Sequence, residues 1–274
     1  MDSSTAPPAP RLDWAYFLDV DGTLVEIAET PERVVVAPGL AGVLQALHAA
    51  CGGALALVSG RPIADLDRLF RPLALPAAGI HGLERRRGDG TVERAAGESV
   101  ADLHPKLAAF AAQDPRLRIE DKGASLALHY RAAPELAEKV GGFARDLDEG
   151  GDGGLRVLHG KMVVEFYRHR ADKGQAIAAF MAEPPFRGRR PVFAGDDVTD
   201  EYGFRAIREM CGIAIRVGRE GESAAPFRLP SVAALHQWLQ SAPIAAAHGG
   251  GPGAGTTGDP GPLRRGAMPP KPRA

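Results

Sequence analysis

The chain has 274 residues, 45% of them hydrophobic, and a formal net charge of −1, as expected of a water-soluble protein with one large domain or two smaller ones. Because positive charge is not in excess, the composition argues against binding to nucleic acid or to a membrane, and no stretch approaches the ~20 apolar residues of a transmembrane helix. The two distant cysteines, Cys51 and Cys211, and the absence of signal-peptide features in residues 1–10 predict a reduced, cytoplasmic protein.

Apolar runs alternate with amphipathic stretches along much of the chain, which is typical of a parallel β-sheet with helices on both faces. The predicted strands are 16–18, 54–58, 77–80, 192–194 and 213–217. The predicted helices are 41–50, 63–70, 173–182, 201–210 and 232–240, the last with Ser231 as its N-cap. We therefore predict an α/β fold built on a Rossmann-like parallel sheet.

The alternation is interrupted between residues 83 and 170. Two repeats of helix–strand–strand occur there: helix 100–113 with strands 117–120 and 125–130, then helix 135–148 with strands 155–158 and 162–167. This order predicts an α+β cap, residues 83–170, inserted into a core formed by residues 12–82 and 171–243, with hinges near 83–94 and 167–172. The flanking segments 1–11 and 244–274 are rich in small residues, Pro or Gly, and we expect both to be disordered.

Two carboxylates, Asp19 and Asp21, directly follow the first predicted strand, and Gly22 then allows a sharp turn. Residues at i and i+2 share one face of the chain, so the two acids point the same way. In open α/β sheets, ligands bind beyond the carboxyl ends of the strands. Two acids held together there repel each other unless a cation or a shared proton compensates, which is characteristic of active sites. The segment 17–24 resembles the first motif of the haloacid dehalogenase phosphohydrolases.

Further polar residues follow other strands of the same predicted sheet. Ser59 and Gly60 precede a helix whose free N–H groups and serine hydroxyl would cradle a phosphate. Lys173 lies in the first turn of a helix that Asp172 can cap, where a cation is unfavourable for the helix dipole, so its position indicates a role other than stability. The fourth strand ends in three acids within five residues: Asp196, Asp197 and Asp200.

Together these strand ends fit the hydrolysis of a phosphate monoester. Asp19 would attack phosphorus and form an aspartyl-phosphate, and Asp21 would protonate the leaving alcohol and then activate water. Ser59 and Lys173 would hold the phosphoryl group, while Asp196 would help to bind Mg²⁺, a hard cation that prefers carboxylate oxygens. Haloacid dehalogenase phosphatases carry an acid where this chain has Asp21, whereas the cation-pumping relatives carry threonine.

The chain also resembles one family within that superfamily, the trehalose-6-phosphate phosphatases, over residues 14–239. The matching segments are 18–24, 59–61, 79–84, 120–122, 129–131, 160–161 with Glu165, 172–174 and 195–201. Val20 and Asp172 depart from the commonest family pattern, although neither position carries catalytic chemistry.

The resemblance implies that the substrate is trehalose 6-phosphate and that Glu120, Lys122 and Glu165 of the cap recognise its hydroxyl groups. It also implies an Mg²⁺ site formed by Asp19, the backbone carbonyl of Asp21 and Asp196, with support from Asp197 or Asp200. Further substrate-binding candidates are Gly60, Arg61, Arg131 and Lys161. We expect a monomer.

Several alternatives stay open at this point. Arg61 could reach the phosphate or pair with an acid of the core, and His81 and His129 are expected to be structural, hydrogen-bonded residues. The enzyme could be another sugar-phosphate phosphatase or a phosphomannomutase-like enzyme of the same superfamily. A non-catalytic sensor domain is a third reading, but no core catalytic position is missing from the sequence.

Overall fold

The computed structural model describes residues 6–30, 33–94, 99–123, 125–149, 155–168, 171–218 and 221–244. Residues 1–5 and 245–274 lie outside the described residues. They belong to the segments 1–11 and 244–274, which were expected to be disordered. Within the described ranges, no helix is long and apolar enough to cross a bilayer.

The secondary structure of the described residues contains strands and helices in the alternation that the sequence predicts. In chain order, the strands are β1 (Trp14–Leu18), β2 (Leu55–Val58), β3 (Ala77–Gly79), β4 (Glu84–Arg86), β5 (Val92–Arg94), β6 (Arg118–Asp121), β7 (Ser125–His129), β8 (Arg156–Gly160), β9 (Val163–Tyr167), β10 (Arg190–Gly195), β11 (Ile213–Val217) and β12 (Phe227–Leu229). The α-helices are α1 (Leu40–Ala50), α2 (Ile63–Leu69), α3 (His104–Ala111), α4 (Ala137–Glu149), α5 (Lys173–Met181), α6 (Asp200–Glu209) and α7 (Val232–Gln240).

The larger sheet has the order β12-β11-β10-β1-β2-β3-β4-β5 and is parallel from β12 to β3. Strand β1 lies in its interior, and all five of its residues are buried because helices cover both faces of the sheet. Phe17 of β1 packs against Phe180 of α5 and stacks on Phe186, with ring centroids 5.9 and 5.4 Å away. The predicted parallel α/β core is confirmed.

The edge of this sheet differs from the sequence-based expectation. Residues 84–94, where a hinge was expected, form the antiparallel hairpin of β4 and β5 that extends the sheet beyond β3. Its arginines are tied down by acids from elsewhere in the chain: Arg86 lies 2.6 Å from Asp67, and Arg85 lies 2.7 Å from Glu183. Charged side chains are well tolerated in edge strands. The sequences of β4 and β5 therefore lack the apolar pattern from which a strand is predicted. The second expected hinge, 167–172, includes residues 169–170, which lie outside the described residues.

A separate antiparallel sheet has the order β6-β7-β9-β8 and carries α3 and α4. Its hydrophobic cluster is distinct from that of the larger sheet, and in it Phe110 stacks on Phe143 with ring centroids 4.1 Å apart. This part of the fold matches the predicted α+β cap, although short 3₁₀ turns, Ala101–Leu103 and Pro134–Leu136, replace the first turns of the two predicted helices.

The described part of the N-terminal segment is also bonded to the core. The Trp238 indole donates to the Pro8 carbonyl at 2.9 Å, and the Tyr16 hydroxyl bonds both the N–H and the carbonyl of Arg11. Residues 8–11 therefore depart from the expectation of disorder, because two aromatic side chains of the core find their polar partners there.

Candidate active site

Three buried carboxylates meet at the carboxyl ends of the central strands. Asp19 follows β1, Asp196 follows β10, and Asp200 begins α6. One oxygen of each lies within 4.8 Å of the others, and Asp200 is completely buried. Strands β1 and β10 are paired in register, with Leu18 opposite Ala194, so the residues after them are brought together at one edge of the sheet.

Lys173 is the buried cation of this cluster. Its Nζ donates to Asp19 Oδ1 at 2.7 Å and to Asp200 Oδ1 at 2.6 Å. Burial alone would lower the pKa of Lys173, but the two carboxylates outweigh it and hold the pKa above its ordinary value. Asp172 caps α5 by accepting from the Gln175 N–H at 2.8 Å. The unfavourable position of a cation in the first turn of α5 is thus explained by the acids that it faces.

Asp200 holds the loop after β10 in place by hydrogen bonds. Its second oxygen accepts hydrogen bonds from the backbone N–H groups of Asp196 and Asp197, both at 2.9 Å. Both oxygens of Asp200 are therefore occupied by the protein. The Asp197 carboxylate accepts from the Val198 N–H at 2.7 Å and lies outside the buried cluster.

The charge balance of the cluster suits a metal cation. Burial and the charge of Asp200 raise the pKa of Asp196 to about 6 and raise the pKa of Asp19 well above its ordinary value. The three carboxylates are met by the amines of Lys173 and Lys161, the latter 3.1 Å from Asp196 Oδ2. Negative charge remains in excess, and the donors are the hard oxygens that divalent ions such as Mg²⁺ prefer. The residues present therefore fit a metal site.

Asp21, the predicted acid and base, is held by Arg61. The guanidinium makes a two-pronged contact with the carboxylate, with Nε–Oδ2 and Nη2–Oδ1 distances of 2.6 and 2.7 Å. The backbone N–H of Arg61 also donates to the Ser59 hydroxyl at 3.1 Å. Of the two alternatives left open for Arg61, the structure contains the pairing with an acid of the core, which places the Asp21 side chain outside the carboxylate cluster.

Glu165 of β9 and Lys122, which directly follows β6, approach the core across the cleft. Lys122 Nζ donates to the Gly60 carbonyl at 3.0 Å and to Glu165 Oε1 at 3.3 Å, while the Ser125 hydroxyl donates to the same oxygen at 2.6 Å. Burial alone would raise the pKa of Glu165, but Lys122 and His81 outweigh it and hold the pKa below its ordinary value. Glu165 is therefore an ionised carboxylate at neutral pH.

The other predicted substrate-binding residues lie nearby. Glu120 Oε2 is 2.9 Å from His129 Nε2, and Arg131 Nη2 donates to the Lys161 carbonyl at 2.9 Å. A single cleft brings together every sequence-predicted site residue except Asp200, which lies behind its floor; the residues that line it are Asp19, Asp21, Ser59, Gly60, Arg61, Glu120, Lys122, Arg131, Lys161, Glu165, Lys173, Asp196 and Asp197.

The cleft also contains residues that the sequence did not single out for function. His81, expected to be structural, lies 2.8 Å from Glu165, and one wall includes Ile27, Ala28 and Val34 from the loop after β1. The motif around His81 was visible in the sequence, but its partner is 84 residues away. Glu29 and Thr30 line the cleft beside these apolar residues, but unlike Asp19 and Asp21 at the start of the same loop they belong to no motif that could have pointed to it.

Comparison with known proteins places the chain in a family. The family model described as trehalose-phosphatase matches residues 17–233. A Sinorhizobium fredii protein named "Probable trehalose-phosphate phosphatase" is 45% identical over 227 residues, which cover 81% of this chain and 85% of that protein. The Escherichia coli trehalose-6-phosphate phosphatase is 40% identical over 238 residues, 86% and 89% of the two chains.

Solved structures agree in fold. A trehalose-6-phosphate phosphatase related protein superposes with a TM-score of 0.65 at 27% identity, covering 82% of this chain and 95% of the other. The C-terminal domain of the Candida albicans trehalose-6-phosphate phosphatase gives a TM-score of 0.75 at 18% identity over 87% and 98% of the two chains, a likeness of fold. The chain belongs to the trehalose-phosphatase family of the haloacid dehalogenase superfamily.

Proposed function

We propose that this protein hydrolyses trehalose 6-phosphate to trehalose and phosphate, the last step of trehalose biosynthesis, in an Mg²⁺-dependent reaction. The observation that carries the proposal is the single cleft that Asp19, Lys173 and Asp196 share with Glu165 and Lys122 of the cap. The activity named for relatives that are 40–45% identical to this chain over the aligned 227–238 residues supports the choice of substrate.

In the first half-reaction, a carboxylate oxygen of Asp19 attacks phosphorus and the bond from phosphorus to the sugar oxygen breaks. Asp21 gives its proton to the leaving alcohol, and the phosphoryl group remains on Asp19 as an aspartyl-phosphate. Asp21 must be free to face the leaving oxygen at that moment, whereas in the structure the Arg61 guanidinium holds both of its carboxylate oxygens. Arg61 therefore has to release Asp21 when the substrate binds.

In the second half-reaction, Asp21 takes a proton from water, whose oxygen attacks phosphorus and releases Asp19 and inorganic phosphate. Lys173 and the hydroxyl of Ser59 neutralise and hold the phosphoryl oxygens throughout. Asp19, Asp196 and the backbone carbonyl of Asp21 would hold Mg²⁺, while Asp197 and Asp200 keep their loop in place. When bound, Mg²⁺ shields the repulsion between carboxylate and phosphoryl oxygens.

Recognition of the sugar would be carried out by Glu120, Lys122 and Glu165. Each is already held by a hydrogen bond within the cleft, so its direction is set before the substrate arrives. Buried polar groups that hydrogen-bond to hydroxyls discriminate strongly, because a wrong sugar leaves them unpaired. Arg131 and Lys161 are further candidates for contact with the substrate.

The protein is expected to act in the cytoplasm and as a monomer. Cys51 and Cys211 are both free thiols, which suits a reducing compartment.

The test is a substrate panel with the purified full-length protein. Phosphate release is measured from trehalose 6-phosphate, mannose 6-phosphate, sucrose 6-phosphate and p-nitrophenyl phosphate, with Mg²⁺ or with EDTA. We expect trehalose 6-phosphate to be preferred, EDTA to stop turnover, and Asp19→Asn to abolish turnover while the variant still folds, because Lys173 keeps Asp200 as an ion-pair partner. Preference for another sugar phosphate, or return of the phosphoryl group to sugar, would indicate the alternative phosphatase or phosphomannomutase-like activity. Binding of trehalose 6-phosphate without turnover would indicate a sensor.

A further inference from the structure

His81 belongs to the larger sheet but points into the cleft. It follows β3, and its backbone is in the left-handed region at φ 54°, as is that of Ile80 at φ 46°. Residues other than glycine seldom adopt this conformation unless their surroundings impose it. Two hydrogen bonds do so here: the His81 N–H donates to the Ser59 carbonyl, and the Ile80 N–H donates to the Arg61 carbonyl, both at 3.0 Å. The imidazole is thus fixed relative to the proposed phosphate-binding loop.

The imidazole reaches across to the smaller sheet. His81 Nε2 lies 2.8 Å from Glu165 Oε2; Glu165 is buried and His81 is partly buried, with side chains 7% and 12% exposed. Because an ionised carboxylate only accepts hydrogen bonds, Nε2 is the donor. The other Glu165 oxygen accepts from Ser125 of β7 and from Lys122 of the turn that precedes this strand. The two oxygens of Glu165 are therefore held from opposite sides of the cleft.

Gly60 provides the space for this contact. A Cβ at position 60 would lie only 2.7 Å from His81 Nε2. The backbone of Gly60 is not in the positive-φ region, so conformational freedom does not explain a glycine there. The close approach of the imidazole explains why position 60 has no side chain.

We infer that His81 is a positioning residue that orients Glu165 for sugar recognition from the core side of the cleft. It acts through Glu165, and it links the loop of Ser59 and Arg61, where the phosphate is expected, to the carboxylate that reads the sugar. The inference rests on the proposed function for the role of Glu165. It assigns to His81 a task that a purely structural histidine of the core would not have.

The test uses His81→Asn and His81→Gln. Asparagine suits the left-handed backbone, so the fold is preserved, but its side chain is too short to reach Glu165. Glutamine keeps an N–H at the ε position. We expect H81N to lower kcat/KM for trehalose 6-phosphate roughly ten- to a hundredfold, the loss typical of a hydrogen bond to a buried charge. Hydrolysis of p-nitrophenyl phosphate should be nearly unchanged, and H81Q should recover most of the loss. His159→Asn, at an exposed position of β8, is the matched control and should behave like the wild type.

A double-mutant cycle separates positioning from structure. In a Glu165→Ala background, H81N should cause no further loss on trehalose 6-phosphate, because the residue through which it acts is gone. Additive losses, or equal losses on both substrates, would overturn the inference. If H81N does not fold, His81→Gly takes its place, since glycine adopts the left-handed backbone of position 81 without strain and removes the imidazole. If the wild type prefers another sugar phosphate, the proposed function fails, and the same ratios on that sugar still test His81.

Discussion

Lys173 Nζ lies 2.7 Å from Asp19 Oδ1, and the two side chains are only 4% and 6% exposed. The same amine bonds Asp200, which in turn holds the loop that carries Asp196. One ammonium group therefore fixes the proposed nucleophile and, through Asp200, the proposed metal ligand. This arrangement makes stability and chemistry depend on the same contact.

Replacing Lys173 by Met should lower both the stability of the protein and its activity. Removing one partner of a buried ion pair leaves unpaired charge, which costs about 3–5 kcal/mol. We expect K173M to lose about that much of its free energy of unfolding and to show no detectable turnover. Urea denaturation in EDTA and phosphate release measure the two effects. Lys106→Met, on the exposed face of α3, is the control and should unfold like the wild type. A K173M protein as stable as the wild type would contradict the assigned role.

Gly22→Ala tests the packing beneath Asp196. Gly22 has φ +83°, and a Cβ there would overlap the Asp196 carboxylate. Gly39 has nearly the same angle, +85°, but a Cβ there meets nothing within 4 Å. Both alanine variants should therefore carry backbone strain of about 1–2 kcal/mol. Only G22A should also lose activity, by about a hundredfold or more, because Asp196 is displaced. Equal activities in the two variants would show that Asp196 does not need this close contact.

Substitutions in the smaller sheet should separate sugar recognition from phosphoryl transfer. Lys122→Ala or Glu165→Ala should reduce turnover of trehalose 6-phosphate roughly a hundredfold, because binding energy from the sugar no longer holds the reactive geometry. Slow hydrolysis of p-nitrophenyl phosphate should be nearly intact, since Asp19, Lys173 and Asp196 are untouched. The measurement is kcat/KM of each variant on the two substrates, and thermal unfolding checks that each variant is folded. A similar loss on both would mean that these residues support the core chemistry or the fold.

Acid should remove the stabilisation that Glu165 provides. Burial opposes its ionisation, but Lys122 and His81 outweigh burial, so its folded-state pKa lies below the ordinary value of 4.5. The unfolded chain therefore takes up the proton first as the pH falls. The stabilisation is present above pH 4.5 and is lost as the pH drops toward the folded pKa.

Glu165→Gln cannot titrate, so it provides the reference for this effect. The difference in free energy of unfolding between the wild type and E165Q should shrink below pH 4.5, by up to about 1.4 kcal/mol per pH unit. Urea midpoints measured from neutral pH into the acid range check this. A difference that stays constant with pH would contradict the lowered pKa.

Local sequence patterns were sufficient for the central sheet and the floor of the site. Runs such as Trp14–Leu18 are apolar on both faces, as expected of a buried central strand, and parallel strands bring their carboxyl ends to one edge. The positions of Asp19, Ser59, Lys173 and Asp196 follow from that rule, because each comes directly after a strand or begins a helix. The cap was also visible as an interruption of the alternation between strands and helices.

The partners of charged side chains were decided by the tertiary structure. Arg61 faces Asp21, 40 residues away, and His81 faces Glu165, 84 residues away, although each could have met other acids. The hairpin of β4 and β5 was hidden because its arginines are paired with Asp67 and Glu183. Periodicity reports whether a residue faces a core, a property of its own segment. Which acid meets which base depends on how separate segments pack, and that information is absent from any one stretch of the chain.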